Sequence, residues 1–388
     1  MRREVRGVWV ATVNNIDFPT CESIPQFQEA FIRILDTLEH YHITDLFFQL
    51  RPCNDAFYAS ELNPWSEYLT GAQGKDPGWD PLPWMVAATH RRGIKFHAWL
   101  NPYRVTGRKV GEDAATKEEL LSSLHEENFA RKRMDLVVLD GRGAPILNPG
   151  EPHVKQFILD TIKELVEKYD IDGIHFDDYF YPYADIGKND EVTYQTYRLE
   201  HESLGDFRRR NVDEIIYAIH RYLQTVNMET NRKLRFGVSP FAIWRNYSTD
   251  QRGSKTNGAQ TYDDHYADTR KWVKKQWIDY IVPQVYWEIG HPHADYRELV
   301  SWWADVVKGT SVDLYIGLGL YRYGSSEVWN RESTLLDQLA FNRTVPEVKG
   351  HVIFSYRHFH RTDCPPLIKV LEKIRTQYWN ESSKSTVE

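Results

Sequence analysis

The chain has 388 residues, of which 41% are hydrophobic and 27% charged, and its 48 basic and 55 acidic side chains give a net charge of −7. This balance is typical of a globular protein with a large core, and no apolar run approaches the ~18 residues that a membrane-spanning helix needs. A mildly acidic chain without a basic tail also argues against nucleic acid as the main partner.

Short apolar or aromatic runs recur along the chain, and each is long enough for one strand. They are 5–12, 43–50, 94–101, 172–180, 234–241, 279–287, 313–321 and 350–356. Apolar residues spaced three and four apart predict helices over 23–40, 152–168, 211–226 and 366–378. The long segment 102–151 is predicted to hold a helix at 117–132 and a hairpin at 135–149 that turns at 141–143.

The alternation of strands and helices predicts parallel βαβ units, and eight is the number of strands that closes an α/β TIM barrel, (β/α)8, with long βα loops. No linker rich in Pro, Ser or Gly interrupts the chain, so we predict a single domain over 1–380 and a polar tail at 381–388. Cys21, Cys53 and Cys364 match no zinc or disulfide spacing. We predict neither a catalytic metal nor a cofactor, and a divalent ion held by Asp177 and Asp178 as a structural extra is the open alternative.

The most specific single motif is DGIHFDDYFYP at 172–182, which spans the fourth predicted strand. Strand alternation places His175, Asp177 and Tyr179 on one face and Asp178 on the other. In a barrel of this kind the active site lies at the C-terminal ends of the strands. Adjacent carboxylates are costly to bury there, which favours a functional role. The alternative is that one caps a loop and the other binds an arginine.

A second carboxylate is expected from the sixth strand, where PQVYWE ends in Glu288 on the same face as Gln284 and Tyr286. Two carboxylates in different environments are what glycoside hydrolysis needs. Asp177 is therefore predicted to attack the sugar or stabilise its cation, and Glu288 to act as acid/base, with Asp178 as a further catalytic candidate. The alternative for Glu288 is a solvated loop residue.

Polar and aromatic residues at the predicted strand ends are expected to bind the substrate. Flat rings with a polar edge suit the apolar faces of sugars. The predicted substrate-binding set is Gln49, Arg51, His97, Trp99, Asn101, Tyr103, His175, Tyr179, Trp244, Asp264, Gln284, Tyr286, Trp287 and Tyr356. Trp9 and Tyr321 add further rings, and Arg104, Arg245 and Arg357 add further donors. Each ring alone is better explained as core, and Asp264 is at least equally explained as an acid in the first turn of a helix.

Several strings in chain order resemble the glycosyl-hydrolase-like family of bacterial envelope proteins of the YngK/YddW type. They are RGVWVATVNNIDFP (6–19), FQLRPCNDAFY (48–58), HAWLNPYR (97–104), GIHFDDYFYP (173–182), GVSPFAIWRN (237–246), YDDHYADTRKW (262–272) and DYIVPQVYW (279–287). The resemblance covers nearly the whole chain and implies a barrel distantly similar to retaining glycosidases. In those enzymes an aspartate ends strand 4 in a G-x-x-x-D pattern, which GIHFD matches at Asp177. His175 stands where they carry arginine.

The resemblance further implies an exported protein that cleaves a cell-wall glycan such as peptidoglycan. The chain itself shows no signal peptide, since MRREVRGVWV runs straight into the first predicted strand. We expect either a protein of the cell envelope, periplasmic or held at the outer membrane by a lipid anchor on a removed leader, or a cytoplasmic one.

The sequence thus predicts a glycoside hydrolase whose partner is a polysaccharide. The first alternative is a glycan-binding barrel without turnover, in which salt bridges would hold the carboxylates. The second is a metal-dependent barrel hydrolase, which is disfavoured because no predicted strand end carries two ligand-spaced histidines.

Overall fold

Eight parallel strands close into a barrel in the computed structural model, which describes residues 4–379. They are β1 (Val5–Val10), β2 (Asp45–Arg51), β3 (Lys95–Leu100), β4 (Gly173–Phe176), β5 (Arg235–Val238), β6 (Tyr280–Ile281), β7 (Asp313–Gly319) and β8 (Val348–Phe354). Each strand pairs with its neighbours in chain order, and β8 closes the ring against β1, where Gly7 lies opposite Val352. The predicted barrel and its eight strands are confirmed. The predicted tail at 381–388 lies outside the described residues.

A helix follows every strand and packs on the outside of the barrel. The eight are α1 (Ile24–His40), α2 (Pro81–Arg91), α3 (Pro152–Lys168), α4 (Leu204–Thr230), α5 (Thr269–Lys274), α6 (Tyr296–Val307), α7 (Ser333–Arg343) and α8 (Pro365–Lys373). The four predicted helices are confirmed. The helix predicted at 211–226 is longer at both ends. It starts earlier because the Ser203 side chain caps it by accepting from the Asp206 backbone N–H, and it ends at Thr230, before Asn231 in the left-handed region.

Local signals fix where the helices begin. The Ser23 hydroxyl accepts a hydrogen bond from the Gln26 backbone N–H, and the Asp80 carboxylate accepts one from the Leu82 N–H. Proline occupies the first turn of α1, α2, α3 and α8. The first amides of a helix have no partner inside it, so a capping side chain or a residue without N–H is favoured there.

Apolar side chains fill two layers, one inside the barrel and one between the strands and the helices. Trp9 and Phe47 belong to the inner layer, whereas the neighbouring Val8 and Phe48 belong to the outer one. Successive side chains of a strand point to opposite faces, which explains this division. The inner layer also contains Trp99, whose ring reaches the C-terminal mouth of the barrel.

The longest loop, between β3 and α3, carries the predicted antiparallel hairpin, formed by Val137–Leu139 and Pro145–Leu147. Two short helices, Lys117–Ser122 and Phe129–Lys132, replace the single helix predicted over 117–132, because Asn128 caps a new start by accepting from the Ala130 N–H. Other loops hold the short helices Glu67–Thr70, Glu191–Tyr197 and Thr261–Asp264. Between residues 4 and 379, no helix has the length and apolarity to cross a bilayer.

Candidate active site

A cavity of about 250 Å³ opens at the C-terminal ends of the barrel strands. All eight strands or the loops that follow them contribute to its wall. The lining residues are Trp9, Ala11, Val13, Ile16, Gln49, Trp99, Arg104, Asp177, Asp178, Tyr179, Ser239, Gln284, Tyr286, Tyr321 and Phe354. Among these residues, Asp177 and Asp178 are the only carboxylates. The cavity therefore has an aromatic wall and one acidic pair.

Asp177 directly follows β4 and is only 4% exposed. Its carboxylate accepts hydrogen bonds from Trp99 Nε1 at 3.1 Å, from Asn101 Nδ2 at 3.2 and 3.3 Å, and from the Tyr179 N–H at 3.2 Å. Burial and the neighbouring Asp178 carboxylate raise the pKa of Asp177 from 3.8 to about 6, although Arg104 and the Trp99 hydrogen bond oppose the shift. Within residues 4–379, no basic side chain forms an ion pair with Asp177. Neighbouring donors thus fix the carboxylate in one orientation beside an open cavity.

Asp178 lines the same cavity as Asp177, whereas strand alternation predicted it on the opposite face. The prediction is wrong because β4 ends at Phe176, so the strict alternation of a strand no longer applies at Asp178. The hydroxyl of Tyr183 donates to Asp178 Oδ2, and the Tyr183 ring packs against His265 with ring centres 4.3 Å apart. The two adjacent carboxylates are therefore held by different partners.

Arg104 supplies positive charge beside the acidic pair. Its guanidinium lies over the Tyr179 ring, 4.3 Å from the ring centre, and Nη1 donates to the Pro52 carbonyl at 3.0 Å. Burial alone lowers the pKa of Arg104, but its acidic neighbours, which include Asp177 and Asp178, outweigh that effect and raise it overall. Arg104 is therefore a permanent cation that offsets part of the charge of the pair.

His175 lies below the cavity, inside the barrel. Its Nε2 atom accepts from Trp9 Nε1 at 3.1 Å, and because an indole nitrogen can only donate, the imidazole proton belongs on Nδ1, which faces the Tyr280 hydroxyl at 3.2 Å. Burial and the nearby His97 lower the pKa of His175 well below 6.5. Although Ser239 Oγ lies 3.0 Å from Nε2, the lone pair is already engaged. His175 therefore supports Trp9 as a neutral ring and does not act as a base for Ser239.

Several predicted site residues do meet at the mouth of the barrel. Besides Asp177 and Asp178, the cavity is lined by Gln49, Trp99, Tyr179, Gln284 and Tyr286, as well as by Trp9, Tyr321 and Arg104. Asn101 reaches the site indirectly. Its amide donates to Asp177, while its Oδ1 accepts from the Tyr103 and Arg104 N–H groups. Asn101 is therefore a positioning residue.

Besides His175, whose predicted contact with substrate is wrong, seven predicted site residues lie away from the cavity, and two of them belong to the barrel wall. His97 shares a face with Trp99 but lies two residues earlier in β3, where its Nε2 bonds with Asp45 at 2.8 Å and its ring stacks on Phe47. Arg51 is buried and donates to Asn63 and to the carbonyls of Asn101 and Pro102. Both side chains therefore stabilise the scaffold, and their predicted contact with substrate is wrong.

The end of the sixth strand also differs from its prediction. Glu288 lines no cavity at the mouth, and its Oε2 accepts from Trp329 Nε1 at 3.0 Å. Trp287 packs edge-on against Phe241, with ring centres 5.4 Å apart. The alternation assumed for 279–287 fails because regular β6 ends at Ile281. The geometry therefore does not support Glu288 as the acid/base, and Trp287 does not contact the cavity.

Three further predictions fail because the residues lie in loops beyond the strand ends. Trp244 is buried, donates to Asp268 at 2.9 Å and stacks on Trp302. Asp264 is exposed. Its carboxylate accepts from the N–H of Gln260, the residue just before the short helix at 261–264. Tyr356 packs against His360. Arg245, expected as a donor, is paired instead with Asp250 and Asp263.

Sequence reasoning missed Ala11, Val13, Ile16, Ser239 and Phe354 in the lining and Tyr183 beside Asp178. Ser239 and Phe354 stand at strand ends, so the rule that found Trp99 could have found them. Tyr183 follows β4 by seven residues, and no periodic signal in the sequence indicates that its hydroxyl returns to Asp178.

A second cavity of about 680 Å³ adjoins the first. The two share Val13, Ile16, Arg104 and Tyr179. The second is also lined by Tyr103, Thr106, Gly107 and Lys109 of the β3 loop, by Asn14, by 180 and 182–184 after β4, and by the hairpin residues Asp140, Arg142, Ala144, Pro145 and Ile146. Together the cavities form one groove that runs from the acidic pair to the hairpin.

A closed parallel barrel with an acidic pair at the end of β4 defines a TIM barrel of the glycosidase type. The family model described as Glycosyl hydrolase-like 10 matches residues 4–349, and the chain belongs to this family. The family resemblance predicted from the sequence is therefore confirmed.

Curated relatives and a solved structure agree with this assignment. The chain is 40% identical to the glycosyl hydrolase YngK of Bacillus subtilis (strain 168) over 367 residues, which is 92% of this chain and 69% of that protein. It is 36% identical to the glycosyl hydrolase DigH of Escherichia coli (strain K12) over 387 residues, with 95% and 86% of the two chains covered. The α-L-fucosidase isoenzyme 2 from Paenibacillus thiaminolyticus has a TM-score of 0.58 at 13% identity, over 97% of this chain and 50% of that one, and so shares the fold.

Proposed function

We propose that the protein is a glycoside hydrolase that cleaves a bacterial polysaccharide of the peptidoglycan type, with Asp177 and Asp178 as its two carboxylates. The observation that carries this proposal is the acidic pair itself, which lies beside an open, ring-lined cavity without an ion-pair partner among residues 4–379. The names of the relatives, both glycosyl hydrolases, support the reaction class.

Asp177 is assigned the role of nucleophile or cation stabiliser at the anomeric carbon. Hydrogen bonds from Trp99, Asn101 and the Tyr179 backbone fix the direction of its oxygens, and these donors together with Arg104 favour the ionised form. An ionised, oriented carboxylate can attack the anomeric carbon or stabilise the cation that forms as the glycosidic C–O bond breaks.

Asp178 is assigned proton transfer, in place of Glu288. It lines the same cavity, and a hydroxyl group rather than a cation contacts it. As the glycosidic bond breaks, its carboxyl proton passes to the leaving oxygen. The resulting carboxylate then takes a proton from the water that completes hydrolysis. The adjacent carboxylates repel each other, which disfavours ionisation of both and lets the pair keep one proton.

The cavity wall suits a sugar ring. Trp9, Trp99, Tyr286 and Tyr321 offer apolar surface with polar edges. Gln284 donates to the Ser239 carbonyl at 2.8 Å, which leaves its amide oxygen as an acceptor for a sugar hydroxyl. A polysaccharide therefore fits the site better than an apolar ligand.

The alternative, a glycan-binding barrel without turnover, predicts carboxylates neutralised by arginine and no cleft beside them. Asp177 instead has an open cavity beside it, and Arg104, a cation that lines the same cavity, donates to the Pro52 carbonyl. These observations favour hydrolysis over binding alone.

The test is to incubate the protein with peptide-free cell-wall glycan and to size the products by mass spectrometry. Asp177→Asn and Asp178→Asn should each lower the cleavage rate by about 10²-fold or more, the usual contribution of a catalytic carboxyl group. Asp264→Asn is the matched control, because Asp264 is exposed and lines neither cavity. Wild-type activity in Asp177→Asn, or glycan binding without any cleavage by the wild type, would contradict the proposal.

We propose, together with the activity, that the protein acts in the cell envelope, where a substrate of this type would be found. Fractionation of cells that carry the tagged full-length gene tests it. Recovery in the cytoplasm alone would contradict it.

A further inference from the structure

The groove beyond the acidic pair is larger than one reacting sugar requires. The second cavity, at about 680 Å³, falls within the range of roughly 300–1,000 Å³ that is typical of small-molecule sites, whereas the first lies below it. The two join at Arg104 and Tyr179. A chain of sugars cleaved at the acidic pair would therefore place its next residues in the second cavity.

Exposed rings give the second cavity the surface that a sugar chain needs. Tyr179 is 39% exposed and Tyr183 is 44% exposed, and both line it. A flat ring with a polar hydroxyl edge offers a surface on which the apolar face of a sugar can pack. The rings lie between the acidic pair and the hairpin, on the path of the groove.

The charged residues of the second cavity are mostly basic. Arg104, Lys109 and Arg142 line it, against one acid, Asp140. The Asp140 carboxylate is already engaged, because its Oδ1 accepts from the backbone N–H groups of Arg142 and Ala144. This excess of positive charge contrasts with the chain as a whole, whose net charge is −7.

Two of these cations are able to bind a ligand. The Arg142 side chain is exposed, and within residues 4–379 no acidic group pairs with its guanidinium. Lys109 Nζ lies 3.3 Å from Glu112, but that pair is partly exposed, and such pairs contribute little, so a ligand anion can replace Glu112.

We infer that the second cavity binds the sugars next to the cleaved bond and that Lys109 and Arg142 select a glycan bearing carboxylate groups. The inference rests on the proposed function, because that function sets how the sugar chain runs from the acidic pair into the second cavity. The preference for charged glycans can nevertheless be measured without turnover. Guanidinium and ammonium groups recognise carboxylates through charge-assisted hydrogen bonds, whereas a neutral glycan gains nothing from them.

The experiment measures binding of peptide-free cell-wall glycan and of the same glycan after its carboxylates have been converted to neutral amides. Titration calorimetry with Asp177→Asn prevents cleavage. The variant Lys109→Gln/Arg142→Gln preserves the backbone donors of both residues, which bond to Asp113 and Asp140. Lys274→Gln/Arg221→Gln on α5 and α4 is the charge-matched control, since neither residue lines the groove.

We expect the groove variant to bind the carboxylate glycan about three- to tenfold more weakly, the effect of two partly exposed ion pairs. Its affinity for the amidated glycan should stay within about twofold, and added salt should reduce the difference. Equal loss for both glycans, or no loss for either, overturns the inference. If the wild type binds the carboxylate glycan selectively but does not cleave it, the proposed hydrolase activity is refuted and the proposed glycan subsite still stands. If the wild type binds both glycans with equal affinity, the proposed charge-selective subsite is refuted and the proposed hydrolase activity still stands.

Discussion

Replacing Asp177 with asparagine should stabilise the fold above pH 6 while it abolishes activity. The folded state raises the pKa of this carboxyl from 3.8 to about 6. The folded protein therefore binds its proton more tightly than the unfolded chain does. Stability from this group is fully present below pH 3.8 and is lost as the pH rises through about 6.

The size of the effect follows from the shift and from the hydrogen bonds. A shift of about 2 units corresponds to about 3 kcal/mol of lost stability at pH 8, at 1.36 kcal/mol per unit. Asparagine removes the charge and keeps one oxygen to accept from Trp99 and Asn101, but its NH₂ group faces the Tyr179 N–H. That lost hydrogen bond costs about 1 kcal/mol, so the net gain at pH 8 is about 2 kcal/mol.

The assay is urea unfolding of wild type and Asp177→Asn, followed by tryptophan fluorescence, at pH 8 and at pH 4. The advantage of the variant should be about 2 kcal/mol at pH 8 and absent at pH 4, where most of the penalty on the wild type has gone. Burial also raises the pKa values of Asp17 and Asp55 to about 6, but these groups are present in both proteins and cancel in the difference.

Asp264→Asn, measured at the same two pH values, provides the reference, because its side chain is exposed and lines neither cavity. The reasoning is refuted if Asp177→Asn is less stable than wild type at both pH values, or if its advantage does not change with pH. Either result would mean that the folded protein does not penalise the ionised carboxylate.

Two further predictions concern the roles of individual residues. Trp99→Phe removes a donor to the Asp177 carboxylate; a hydrogen bond to a charged group contributes about 1.5 kcal/mol or more, so the pKa of Asp177 should rise by about one unit. The acidic limb of the kcat/KM profile on peptide-free glycan should then move from about pH 6 to about pH 7, and an unmoved or lowered limb would contradict the assigned role. Glu288→Gln should keep its kcat within about threefold of wild type, because Glu288 bonds Trp329 outside the cavity, whereas a loss of about 10²-fold would restore it as the acid/base.

The fold was predictable because barrel strands carry a strong local signal. Buried parallel strands read as short apolar runs, and all eight runs became strands. The sixth shows the limit of this rule, since the run 279–287 yields only Tyr280–Ile281 as regular strand. Pro283 has no N–H to donate to a neighbouring strand, and beyond it only Gln284 pairs, as an isolated bridge to Phe241 and Gly317.

The site was predictable only where the strand pattern reaches it. Trp99 and Asp177 were found because both stand near the end of a strand on its inward face. His97 satisfies the same alternation but lies one layer deeper, against Asp45 and Phe47. Alternation gives the face of a side chain, whereas its depth in the barrel depends on register with the neighbouring strands, which a single sequence does not state.

Residues beyond the strand ends carry no such pattern. Asp178 and Tyr183 meet because the chain turns after Phe176, whereas Glu288 reaches Trp329 because its own loop leads outward. These contacts are set by long-range packing of loops from different βα units. The sequence therefore predicted the class of site and one of its carboxylates, but not the partner of that carboxylate.

The abundant rings connect the core with the chemistry. Trp9 and Trp99 belong to the inner core layer and also line the cavity, so the top of the core is the floor of the site. Asp177 is buried at this floor, and its burial is the main cause of its raised pKa. The indole N–H of Trp99 donates to the Asp177 carboxylate and so replaces one of the hydrogen bonds that water would make, which partly lowers the pKa again. Tuning of the carboxylate is thus a direct consequence of how the barrel is packed, and a core substitution at Trp99 should alter the pH dependence of the reaction as well as the stability of the fold.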